Sequence, residues 1–105
     1  MFPTKVLQAA RVTLFTRVGC GLCDTAKHTV VQLNQRKPFD YKEMDIEIPE
    51  NKSWRDVYDF DVPVLHVQSE AAGQQGPQLS DAKKLFHRFS EQEVEKLVDE
   101  ADQQQ

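Results

Sequence analysis

The sequence predicts an α/β chain in the order βαβαββα, a four-stranded mixed sheet with helices on both faces. Three observations carry this reading. A β-branched and aromatic run, VTLFT at 12–16, stops at Gly19 and gives way to an apolar stripe at helical spacing. Three later strand-like runs, at 39–46, 62–67 and 85–89, are separated first by a short amphipathic segment and then by a long polar one. A capping-box pattern, Ser90 with Glu93, opens a final apolar stripe. Parallel strands need a crossover and a hairpin makes an antiparallel pair, so this order requires a mixed sheet. With 105 residues, the chain can bury roughly two thirds of its unfolded surface around one core. The expected organisation is one domain over 1–105, with a core at about 11–101 and flexible ends at 1–10 and 102–105.

The elements follow in order. After the first strand, Leu22, Ala26, Val30 and Leu33 recur at spacings of four, four and three, which lays one apolar stripe of a helix against a sheet. Pro38 disfavours α conformation in Lys37 and ends that helix. In FDYKEMDI at 39–46 the apolar positions are Phe39, Tyr41, Met44 and Ile46, an alternation with a one-residue slip. Pro49 suits a helix opening, and Trp54, Val57 and Tyr58 supply a short amphipathic face. VPVLHV at 62–67 is strand-like behind a proline at its start, where proline is tolerated. The stretch 68–82 holds Gly73, Gly76 and Pro77 and no apolar period, so it is read as a long polar loop. LFHRF at 85–89 resumes a strand, and Val94, Leu97, Val98 and Ala101 form the last helical stripe.

Composition narrows the function. Hydrophobic residues at 39% and charged residues at 29% fit a soluble globule, and no apolar run approaches the ~18 residues that span a bilayer. No hydrophobic leader of secretory type opens the sequence. The formal charge of −4 argues against a generic phosphate-binding surface, so nucleic acid is not an expected partner.

Both cysteines, Cys20 and Cys23, fall in one Cys-Gly-Leu-Cys motif where a strand runs out and a helix begins. Staples in small secreted domains are scattered along the chain, and a bridge across so short a loop removes little unfolded-state entropy. The spacing reads as chemistry in a reducing compartment. A cysteine at a helix start meets free backbone N–H groups and the positive end of the helix dipole, which stabilise a thiolate, and Arg17 could add to this. Cys20 is thus the candidate nucleophile. Cys23, nearly one turn on, is placed to resolve a mixed disulfide by attacking the Cys20 sulfur. Asp24 would oppose thiolate formation if it faced the site, and it is expected to face solvent.

A Cys-x-x-Cys is also half of a zinc site, with His28, His66 and His87 as conceivable completions. Their spacings match no compact zinc motif. His66 and His87 read as neighbours on paired strands and His28 as a helix-surface residue. An inert buried pair would need no turn with two glycines beside it. Redox chemistry is the favoured reading.

VTLFTRVGCGLCDTAK at 12–27, followed by DVPVLHV at 61–67, resembles the glutaredoxin-like branch of the thioredoxin superfamily, close to its small eukaryotic glutaredoxin-like proteins. The similarity runs from about 12 to 98. It implies a thioredoxin-like fold and a cis bond between Val62 and Pro63. It also implies that the proline lies against the sulfurs, with the Val62 backbone offered to a peptide-like disulfide in the manner of an added strand. By the same resemblance, Arg17, Gly21, Leu22, Val62 and Pro63 form the substrate-binding set. Glutaredoxins usually carry Pro-Tyr between the cysteines, where this chain has Gly21-Leu22. They grip glutathione with a basic residue three before the first cysteine, the residue before the cis-proline, and a glycine pair followed by an acid after the last strand. Arg17 and Val62 fit the first two, while Arg88 and Phe89 stand where the glycines belong.

The expected function is that of a thiol–disulfide oxidoreductase with no resident cofactor or metal and with glutathione as a candidate co-substrate. Its expected substrate is a disulfide-containing protein or small molecule, with no nucleic-acid or membrane partner, and the chain is expected to act as a monomer. The alternatives are an iron–sulfur or metal-binding module that uses Cys20, and a redox-fold scaffold with vestigial activity. The first 23 residues contain Lys5, Arg11 and Arg17 and no acid, so mitochondrion stands second to cytoplasm as the expected location.

Overall fold

The structure, a computed structural model, describes residues 10–69 and 82–102. Strand β1 (Ala10–Thr16) leads into helix α1 (Gly21–Arg36) and strand β2 (Asp40–Asp45). A 3-10 turn at Pro49–Asn51 runs into helix α2 (Lys52–Tyr58), followed by the hairpin strands β3 (Val64–Ser69) and β4 (Lys83–Phe86) and helix α3 (Glu91–Asp102). The four strands lie in the order β2-β1-β3-β4. β1 and β2 are parallel, and β3 is antiparallel to both β1 and β4. The predicted element order and mixed sheet are therefore present.

Side chains alternate across a strand, so each strand serves two layers. Ala10, Val12 and Leu14 of β1 and Leu65 and Val67 of β3 face α1 and α3, where Ala26, Val30, Leu33, Val94, Val98 and Ala101 complete an aliphatic core. Phe15 and Val64 face the other way and pack with Ile46, Tyr58 and Trp54 under α2. The slip in β2 has a simple cause. Phe39 and Tyr41 pack on the aliphatic core, whereas Met44 and Ile46 pack on the α2 side. The pleat is regular, with Arg11–Thr16 of β1 paired in unbroken register to Asp40–Asp45, and what changes along the strand is which face is covered.

Four expectations need correction. The buried stripe of α1 is Cys23, Ala26, Val30 and Leu33, so it starts at the second cysteine and leaves Leu22 only half-buried. Val57 is exposed, because the seven-residue α2 reaches the sheet through Trp54 and Tyr58. Gln68 and Ser69, assigned to the loop, are buried in β3 opposite Arg11 and Ala10, since the ladder with β1 continues two residues past the apolar run. Ala82 is described and buried, whereas the loop interior at 70–81, the start of the chain at 1–9 and the last residues at 103–105 lie outside the described residues. β4 ends at Phe86, because β3 begins at Val64 and offers no strand partner beyond it. His87 then turns away with φ +64°, and its N–H goes to the Pro63 carbonyl at 2.8 Å.

The start of α3 is capped as the sequence suggests, and the end of α1 is tied to α3 by ion pairs. Ser90 Oγ accepts from Glu93 N at 3.1 Å while Glu93 Oε1 accepts from Ser90 N at 2.8 Å, the reciprocal capping box that starts α3. Arg36 and Lys37, at the end of α1, pair with Glu91 at 2.7 Å and Asp99 at 2.7 Å on α3.

Candidate active site

The parallel pair forces the chain leaving β1 to turn at once into the crossover helix. Gly19, at φ +82°, makes that turn in a region that L side chains rarely adopt. Cys20 is the N-cap of α1, and its Sγ accepts a hydrogen bond from Cys23 N at 3.1 Å. A sulfur in this position satisfies one of the orphan donors of the first turn, and a thiolate accepts that bond more strongly than a thiol. A sulfur at a helix start is thereby placed as the nucleophile of the pair.

Cys23 brings its sulfur back beside Cys20. The two Sγ atoms are in contact, with the Cα atoms 5.2 Å apart, inside the range a disulfide requires. Cys20 is partly exposed and Cys23 is 1% exposed. Cys20 is therefore the more accessible cysteine of the pair. Asp24 is exposed on the first turn, as expected.

Of the substrate-binding set, the Val62-Pro63 bond is cis and Pro63 is buried. Val62 is half-buried and precedes the β3 ladder, which opens at Val64. Leu22 lines a groove of about 390 Å³ with Thr25, Ala26, Arg88 and Phe89, between the starts of α1 and α3. Phe89, in the place of the family's glycine pair, packs against the aliphatic core. Gly21 is exposed and has open space around it, so packing does not demand a glycine there.

Arg17 is engaged within the chain. Its Nε donates to Glu47 Oε2 at 2.9 Å, its Nη1 donates to the Asp59 carbonyl at 3.0 Å, and its Nη2 pairs with the Asp59 carboxylate. The Asp59 bond, the largest influence, raises the guanidinium pKa further. The side chain clamps the loop before Cys20 to the loop before the cis-proline, and its charge is met by carboxylates from this chain. Glu47 and Asp59 lie 30 and 42 residues away, so no sequence spacing announces them.

The three histidines do not converge. His28 is exposed on α1 and His87 is exposed beyond β4, opposite Asp61 at 3.9 Å. His66 is fully buried, and its cross-strand neighbour on β4 is Lys84, not His87. Its Nε2 shares a hydrogen bond with Tyr58 Oη at 2.6 Å. Burial, with the nearby Lys84, pushes its pKa down to about 4. Among the described residues no group of three His, Cys, Asp or Glu side chains is arranged to hold a metal.

The sequence and the fold have counterparts. A glutaredoxin-like protein of Dictyostelium discoideum is 34% identical over 68 residues, which span 58% of this chain and 63% of that protein. The oxidised thioredoxin O2 of Arabidopsis thaliana superposes with a TM-score of 0.64 at 14% identity, over 90% of this chain and 76% of that one. A structural-genomics target protein of X. campestris gives 0.58 at 21% identity, over 85% and 96%. These two likenesses show a shared thioredoxin fold. The pattern of the Glutaredoxin-like domain (DUF836) matches residues 11–99, from β1 into α3 and through the Cys20–Cys23 site. The chain belongs to that glutaredoxin-like family and carries the thioredoxin fold.

Proposed function

We propose that this protein is a thiol–disulfide oxidoreductase in which Cys20 attacks a substrate disulfide and Cys23 resolves the resulting mixed disulfide. The observation that carries this is the sulfur pair itself: Cys20 Sγ is the side-chain cap of α1 and is accessible, with Cys23 in contact behind it. In the reduced protein the Cys20 thiolate bonds to one substrate sulfur and the other leaves. Cys23 then bonds to Cys20 and displaces the second sulfur, so two electrons pass to the substrate. The position of Val62 just ahead of the β3 ladder supports a role for its backbone in holding an extended substrate chain.

Turnover requires the oxidised pair to be reduced again, for which glutathione is one candidate. A reducing compartment, cytoplasm before mitochondrion, is the setting in which such a site would cycle. The test is a pair of variants. Cys20→Ser is expected to abolish reduction of a model disulfide, and Cys23→Ser is expected to retain the first attack and accumulate a mixed disulfide visible as an adduct by mass spectrometry. Equal residual turnover in both variants would overturn the assignment of roles.

A further inference from the structure

Phe60 and Val18 are 93% and 85% exposed, far beyond the other large apolar side chains that reach solvent. Single exposed apolar residues are ordinary, but these two share a setting. Val18 follows Arg17 in the chain and Phe60 follows Asp59, and Arg17 and Asp59 are the two partners of the clamp. The clamp fixes the loop that enters Cys20 against the loop that enters the cis-proline, so each apolar side chain follows directly in the chain on one end of the clamp. Ile48, 42% exposed, lines with Val18 a groove of about 410 Å³ that also includes Cys23.

The charges around this rim decide what fits it. Arg17 and Arg55 both engage Glu47 and Asp59, two cations against two carboxylates. Lys27 is paired with Glu43. Beyond these stand Asp24, exposed on α1, and Asp61, faced by His87. Arg88 stands apart, in the groove beside Leu22. An acidic ligand approaching Val18 and Phe60 would meet committed guanidinium groups and two further carboxylates. An apolar or basic one would meet bare hydrocarbon and a complementary field.

We propose that Val18, Ile48 and Phe60 form a docking rim for an extended polypeptide whose cystine is flanked by apolar, non-acidic residues. The substrate is then a protein disulfide and not an acidic tripeptide. This rests on the oxidoreductase reading above and names its substrate class. In the docked complex, the Cys20 thiolate bonds to one substrate sulfur and the other departs as a thiolate, which takes the Cys23 proton. The Cys23 thiolate then bonds to Cys20 and releases the second substrate sulfur, which is protonated from solvent.

The experiment is single-turnover oxidation of the pre-reduced protein, followed by loss of its two thiols. Three disulfides are compared: a cystine peptide flanked by leucine and phenylalanine, the same peptide flanked by glutamates, and glutathione disulfide. The apolar peptide is expected to react about tenfold faster than the acidic one at subsaturating concentration, a difference of about 1.4 kcal/mol. Phe60→Ser and Val18→Ser should each move that ratio toward one. Val57→Ser, at an exposed position on α2 outside the rim, should leave it in place. Equal rates for the two peptides, a ratio unmoved by Phe60→Ser and Val18→Ser, or faster reaction with glutathione disulfide would overturn the proposal. So would a dimer that dissolves in Phe60→Ser while the ratio stays constant, since the rim would then seat a second copy of the chain. No reaction with any of the three, with both thiols still titratable, would instead bring down the oxidoreductase reading on which the proposal stands.

Discussion

The face of the sheet that packs against α1 and α3 is lined by valine, leucine and alanine, whereas the face under α2 mixes aromatic rings with polar side chains. On the first face, two helices of 16 and 12 residues press aliphatic stripes onto β1 and β3. On the second, Phe15 meets Trp54 and His66 with ring centroids at 4.7 Å and Tyr58 at 5.2 Å. Further along the same face Thr13 lies opposite His66, and Gln68 lies opposite Arg11. Thr13 Oγ1, His66 Nδ1 and both polar atoms of the Gln68 side chain are buried without a hydrogen-bond partner among the described residues. Buried polar atoms in that condition cost free energy. The aliphatic face therefore supplies most of the cohesion, and the α2 face carries polar groups that weaken the core locally.

That contrast predicts where the molecule breaks. The largest effect should come from Leu14→Ala on the aliphatic face, a fully buried position on the central strand β1. Loss of the side chain plus the cavity it leaves should lower stability by about 4 kcal/mol, read as a shift of the urea midpoint. If Leu14→Ala cost under about 1 kcal/mol, the aliphatic face would not be the dominant one.

The α2 face should reveal itself through pH. His66 has its pKa lowered from 6.5 to about 4. Above pH 6.5 it is neutral in both the folded and unfolded states. Between 6.5 and about 4 the unfolded chain takes up a proton that the folded chain refuses, so stability falls as the pH drops through this window and levels off below it. The total should reach about 3 kcal/mol. Urea titrations from pH 7 to pH 4 on the native protein and on His66→Phe, in which this slope should vanish, measure it directly.

A smaller effect of opposite sign sharpens the comparison. Thr13→Val keeps the β-branched shape that suits a strand while removing a buried hydroxyl that has no partner. It should stabilise the protein by about 1 kcal/mol, seen as a rise in Tm. A loss of stability would mean that the hydroxyl is satisfied in solution.

The two faces also differ in how far the sequence exposed them. The stripes of α1 and α3 repeat at helical spacing because two helices bury one face each, and Pro38 and the Ser90–Glu93 box punctuate them. The α2 face has no such period. It is assembled from Phe15 of β1, Trp54 and Tyr58 of α2, Val64 of β3, and Ile46 just past the end of β2. The apparent slip in β2 was the trace of this second face, legible as an irregularity but not as a location. At the site, Gly19, Cys20 and Cys23 were readable because a strand, a turn and a helix start lie within a few residues. The Arg17 clamp was not, since its partners come from the turn after β2 and the end of α2. The cis Val62-Pro63 bond was expected from the family resemblance alone, because the residues around a proline do not by themselves specify its isomer.

The sequence by itself determined the order of elements, the aliphatic core and the position of a cysteine pair at a helix start, since each depends on residues close in the chain. Tertiary structure alone decided that the Arg17 charge is consumed by Glu47 and Asp59, that His66 is sealed against Tyr58, and that Val18 and Phe60 are carried on loops bolted together. Those outcomes depend on which distant side chains the sheet brings into register, and pairing across such separations has no local period to read.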